Sequence, residues 1–136
     1  MSDSELPGAF IRLRLGAEDA HYGGNLVAGA TQLRIVGDLI TELAMKHDGD
    51  EGLFRAYESV EFLAPLYAGD WIEARGRIVL VGNTSRRCEF EIQKVGVART
   101  DISHSAAEFL DEPVLTLRAV GTTVVPTELQ RFSHRP

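Results

Sequence analysis

The chain has a single cysteine, Cys88, in 136 residues, which excludes an internal disulfide framework and a structural zinc site built on several thiolates. It lacks any uninterrupted apolar run of the roughly 18 to 20 residues that cross a bilayer. Residues 1–8 carry acidic and small side chains where a secretory leader would carry a basic patch and an apolar core. The expectation is a cytoplasmic protein with no membrane partner. Basic residues are in the minority, 14 Lys and Arg against 20 Asp and Glu, for a formal net charge of −6. That field repels nucleic acid, and a polyanionic ligand would have to meet locally gathered cations. His21, His47, His104 and His134 lack ligand spacing, so no metal is expected. What is present is an ordinary folding composition, 44% hydrophobic and 25% charged. It fits one domain over residues 1–136, with residues 1–8 and 127–136 as flexible tails.

Ile11, Leu13 and Leu15 alternate with Arg12 and Arg14, the period of a half-buried strand. A loop follows, Asp19-Ala20-His21-Tyr22-Gly23-Gly24-Asn25, rich in residues that tolerate unusual backbone angles. From about Ala30 to Lys46, Leu33, Val36, Ile40, Leu43 and Ala44 recur mostly three and four apart, predicting one amphipathic helix that ends in a turn over residues 47–52. The rest reads as strands over residues 53–63, 71–82, 84–98 and 114–125, with Gly82-Asn83 as a hairpin turn whose residues accept positive φ. Residues 99–113 are polar, with a short helix expected near residues 105–110. A single long helix must bury its apolar face, so an α+β fold with an antiparallel sheet wrapped around it is predicted.

That element order resembles the hotdog fold. Phe62-Leu63-Ala64-Pro65-Leu66-Tyr67-Ala68-Gly69-Asp70 resembles the segment in which acyl-CoA enzymes of that fold leave one strand and turn into the next. Pro65 stops strand pairing and Gly69-Asp70 suit a tight turn. Asp19-Ala20-His21-Tyr22, Gly24-Asn25-Leu26-Val27, Gly37-Asp38, Thr41-Glu42-Leu43, Glu61-Phe62 and Gly82-Asn83 together resemble the β-aminoacyl-CoA ammonia lyases, over roughly residues 10–125. The resemblance implies reversible release of ammonia from 3-aminobutyryl-CoA, or alternatively β-alanyl-CoA, to give an enoyl-CoA. Coenzyme A would be part of the substrate and no cofactor would be needed. 3-Aminobutyryl-CoA is the expected substrate, which would place the protein in amino-acid fermentation, notably of lysine. An acyl-CoA thioesterase on the same fold, with Asp38 as nucleophile or as base for water, is the competing expectation.

Eliminating ammonia from a β-aminoacyl thioester needs a base for the Cα proton, a group to handle the leaving nitrogen, and donors to the thioester oxygen. Asp38 and Glu42 are four apart on the predicted helix, opposite Leu33, Val36, Ile40 and Leu43, and such neighbours form a carboxylate pair suited to divided acid and base roles. The residues do not say which is base and which is acid, and a solvated helix face explains the same spacing. At the helix start, Gly29 and Ala30 offer unpaired backbone N–H groups, with Asn25 as a substrate contact, a cap or a loop-closing side chain. Ala30 and Asp38 stand about 12 Å apart along a helix axis. The expectation is therefore a site shared across a homodimer, itself open to further assembly.

His21 and Tyr22 are candidate pocket residues in the matched loop, as are Tyr57 and Glu61, placed by strict alternation on one strand face. Each has an ordinary structural use as well. Arg86, Arg87, Lys94, Arg99 and Arg118 fall in the second half, and Arg86, Arg87 and Arg118 are taken as candidates for the CoA phosphates. Cys88 is expected to pack as a small hydrophobe beside Phe90 and Ile92.

Overall fold

The computed structural model describes residues 6–132. Strand β1 (Gly8–Arg14) leads through a loop to helix α1 (Gly29–Asp48), followed by β2 (Leu53–Phe62), β3 (Trp71–Val81), β4 (Ser85–Ala98) and β5 (Ala107–Val124). All pairings are antiparallel, in the order β1-β3-β4-β5-β2. The helix lies on one face, where Ile35, Val36, Leu39, Ile40 and Leu43 meet Ile72, Ala74, Ile78, Cys88, Phe90, Ile92, Leu117 and Ala119 in a continuous core. The expected face is thus shifted: Leu33 is only partly buried, whereas Ile35 and Leu39 are buried. Gly76 lets the helix sit close, since a Cβ there would stand 3.5 Å from Leu39 Cβ and 2.8 Å from the buried Phe90 ring.

The helix runs two residues past its expected end and stops at Gly49, which takes φ 69° and donates its N–H to the Met45 carbonyl. Asp48 belongs to its last turn because it is clamped from the side. Arg86 bonds Asp48 through Nε and Nη2 at 2.9 Å each, and its Nη1 donates to the carbonyls of Gly82 and Ser85. Residues 127–132, expected as tail, are docked on this end. Gln130 bonds the carbonyls of Asn83 and Val125, the Arg131 amide donates to the Asp48 carbonyl, and the Phe132 ring lies against Gly49. At the other terminus, the Pro7 carbonyl accepts from Ile78 and Gly8 already pairs with Arg77. The remaining tail residues, 1–5 and 133–136, fall outside the described residues.

Two expectations about the strands are overturned. The helix expected near residues 105–110 is strand, because β5 begins at Ala107 and pairs Ala107, Glu108 and Phe109 with Ala98, Val97 and Gly96. Pro113, which has no N–H to give a ladder, is accommodated because residues 110–113 have no partner in β4, in a break between the Phe109–Gly96 and Val114–Lys94 pairs. Residues 82–84 do form the predicted tight connection, closed by the Gly82 amide on the Ser85 carbonyl. Neither Gly82 nor Asn83 has positive φ, however. The motif over residues 62–70 behaves as its chemistry dictates: β2 stops at Phe62, Gly69 takes φ 95°, and Asp70 accepts the Tyr67 amide.

Candidate active site

The helix start is built by the loop before it. Asn25 adopts φ 63° and its carbonyl accepts the Ala68 amide, while Val27 donates to the Leu66 carbonyl. The loop is closed by backbone bonds rather than by the Asn25 side chain. The residue preceding the helix is Ala28, so no side-chain cap bonds the first turn, and the amides of Gly29 and Ala30 begin the helix without a carboxylate or hydroxyl cap. Against Gly29 lies Phe62, the last residue of β2, and a Cβ at Gly29 would stand 2.9 Å from that ring. His21 and Tyr22 are both exposed and in edge-on contact, with ring centroids 5.4 Å apart.

Asp38 is exposed on the outer side of the helix and Glu42 is half-buried. The two carboxylates do not act as a closed pair. Glu42 Oε2 is held at 2.8 Å by Lys46 Nζ, and Lys46 also donates to the Gly8 carbonyl at 2.8 Å. Glu42 and Lys46 line an open cavity of about 700 Å³ with Gly8, Phe10 and Arg75. Asp38 is not among its lining residues. The contact of Lys46 with Glu42 was not anticipated, although their i,i+4 spacing is the signal for it. From Ala30 to Glu42 the axial rise is about 18 Å. A single chain therefore brings the helix start and Glu42 to separate places.

Tyr57 and Glu61 lie on opposite faces, not on one. A register break between Tyr57 and Ser59 leaves Glu58 without a paired residue in β5, after which Glu61 pairs with Arg118. Tyr57 packs toward the core, where burial raises its phenol above the ordinary value, and its ring contacts Phe54 at 4.5 Å. Glu61 is exposed on the outer face, in a cross-strand row with Arg118, Glu91 and Arg75. A bulged strand inverts the alternation on which the expectation rested.

The proposed phosphate contacts are likewise dispersed. Arg86 is 1% exposed and bonded to Asp48, so it is withdrawn from any ligand. Arg87 pairs with Glu58 at 2.7 Å, and Arg118 is flanked in register by Glu61 and Glu91. Of the other basic residues of the second half, Lys94 stands 3.4 Å from Asp70 and Arg99 bonds Asp101 and Glu108. Cys88 is buried as expected, its thiol pushed up to about 12 by burial, which outweighs the opposing charge of Arg86.

Comparison with known proteins places this arrangement. The profile of the thioesterase superfamily matches residues 24–117. The 3-aminobutyryl-CoA ammonia lyase of Acetoanaerobium sticklandii is 54% identical over 121 residues, which are 89% of this chain and 96% of that protein. The structure of β-alanyl-CoA:ammonia lyase from Clostridium propionicum is 39% identical, with a TM-score of 0.89 over 95% of this chain and 92% of that one. The hexameric hotdog thioesterase of Campylobacter jejuni, 19% identical with a TM-score of 0.71 over 90% of this chain and 86% of that one, shares the fold. Among the described residues no helix is long and apolar enough to cross a membrane. With the hotdog topology established residue by residue and identity this high over nearly its whole length, the chain belongs to the thioesterase superfamily and, within it, to the β-aminoacyl-CoA ammonia lyase family.

Proposed function

We propose that this protein catalyses the reversible elimination of ammonia from 3-aminobutyryl-CoA to give crotonyl-CoA, in the cytoplasm and without a cofactor. The observation that carries the reading is the 54% identity, over 89% of the chain, to a 3-aminobutyryl-CoA ammonia lyase. In the elimination a carboxylate takes the Cα proton, the C–H electron pair becomes the new double bond, and the C–N pair leaves with ammonia. Asp38 and Glu42 are the proposed acid–base residues, and the uncapped amides at Gly29 and Ala30 the proposed donors to the thioester oxygen. Because these groups stand about 12 to 18 Å apart along one helix, the site is read as shared in a homodimer: the helix start from one subunit, the carboxylates from the other. Exposed Phe62 at the end of the edge strand β2, and Leu63 just after it, offer apolar surface for a second copy beside Gly29.

The test is to mix the protein with crotonyl-CoA and ammonium and follow loss of the enoyl-thioester absorbance. Ammonium-dependent loss is expected, whereas free thiol released without ammonium dependence would indicate a thioesterase. The 39% identical β-alanyl-CoA:ammonia lyase motivates a second comparison, kcat/KM for 3-aminobutyryl-CoA against β-alanyl-CoA. One methyl group in a fitted pocket is worth about 1 to 3 kcal/mol, and a preference for the β-alanyl thioester would reassign the substrate.

A further inference from the structure

Lys46 presents a primary ammonium, the same chemical group that the substrate carries at Cβ and that ammonium ion brings to the reverse reaction. It is held by two acceptors, Glu42 Oε2 and the Gly8 carbonyl, each at 2.8 Å. A third N–H remains on the ammonium, and the group lines the same open cavity as Glu42. A plain i,i+4 helix pair needs only the carboxylate. The additional bond to Gly8 ties Lys46 to β1, 38 residues away in sequence.

We infer that Lys46 acts through Glu42, occupying one of its carboxylate oxygens in the free enzyme, so that incoming ammonium competes with an internal one. This rests on the reading of Glu42 as a site residue. Lys46 sets the concentration of ammonium needed to engage Glu42, while the turnover step itself does not pass through the lysine. Both side chains are partly exposed, 50% and 39%, so the competition is modest in size: exposed pairs of this kind correspond to about a two- to fivefold change in an equilibrium.

The experiment measures the ammonium dependence of addition to crotonyl-CoA in the parent, Lys46→Gln and Lys46→Arg. Lys46→Gln is expected to lower the half-saturating ammonium concentration about two- to fivefold, with kcat at saturating ammonium and the KM for crotonyl-CoA changed less than about twofold. Lys46→Arg, which retains a cation beside Glu42, is expected to keep the ammonium requirement close to the parent's. An unchanged or raised ammonium half-saturation in Lys46→Gln, or a loss confined to kcat, overturns the inference. Thermal melting of each variant separates these outcomes from unfolding. Glu42→Gln distinguishes the two levels of the argument: parental turnover in that variant removes Glu42 from the site and with it the underlying reading. Its inactivity alongside an unmoved Lys46→Gln rejects only the role given to Lys46.

Discussion

Replacing Arg86 by methionine tests whether that residue serves the fold or the ligand. Arg86 and Asp48 are 1% and 0% exposed at their side chains and share two 2.9 Å bonds. Removing one partner of a buried pair costs about 3 to 5 kcal/mol, because the remaining charge has lost its compensation in a medium that solvates it poorly. A loss of about 3 kcal/mol in a chain of this length lowers Tm by about 10 °C. The double variant Arg86→Met/Asp48→Leu should recover much of that loss, because the charge that needed a partner is gone as well. Urea and thermal denaturation measure both, and the KM for the CoA thioester should stay at the parent value in Arg86→Met well below its melting temperature. A variant with parental stability and a raised thioester KM would refute the reasoning and return Arg86 to the ligand.

Gly76→Ala places a methyl 2.8 Å from the immobile Phe90 ring and should destabilise by about 1 to 3 kcal/mol, read as a lower urea midpoint with an unchanged m-value. Cys88 makes stability fall in alkali: its folded thiol titrates near 12 and the unfolded one near 9.0. The contribution is therefore complete below pH 9 and lost as pH rises toward 12, at about 1.4 kcal/mol per pH unit. The stability difference between parent and Cys88→Ala should accordingly narrow or reverse between pH 8 and pH 10 by about that amount per unit above 9, and a constant difference would show that the thiol is not desolvated. Asp38→Asn and Glu42→Gln should each lower kcat by about 100-fold or more while leaving Tm within about 2 °C, checked by the crotonyl-CoA assay and melting. A tenfold or smaller effect in either would remove that residue from acid–base duty.

The helix, four of the strands and the turn at Gly69-Asp70 were legible because each rests on local chemistry: spacing of apolar groups, a proline stop, a glycine at positive φ. The first half of β5 was hidden because residues 107–113 mix three carboxylates with apolar side chains and contain Pro113, and only the pairing of Ala107, Glu108 and Phe109 with β4, ahead of the unpaired break that holds the proline, makes them strand. The opposite orientations of Tyr57 and Glu61 were hidden for a related reason, since one extra residue at Glu58 inverts all later alternation and leaves no local mark in the sequence. Arg86 looked like a surface cation because arginines are rarely buried, and its partner is 38 positions away. Gln32 passed unnoticed on the helix, yet its buried amide bonds the Thr116 hydroxyl, 84 positions on, where Thr116 also serves the Ile92 carbonyl at a break in the β4–β5 register. Long-range polar pairs of this kind are created by topology and have no periodicity to read.

The contrast between the two ends of α1 has a consequence for local opening. At the C-terminal end, Asp48, Arg86, the 82–85 turn and residues 130–132 are bound to one another. Amides from Ala44 to Asp48 can exchange only when several segments separate together, close to the global unfolding free energy. The first turn has no side-chain cap, and its amides open at far lower cost. Under the proposed function, adjustment to a thioester at Gly29 and Ala30 is therefore absorbed by the uncapped first turn, while the sheet and the far end of the helix keep their protection.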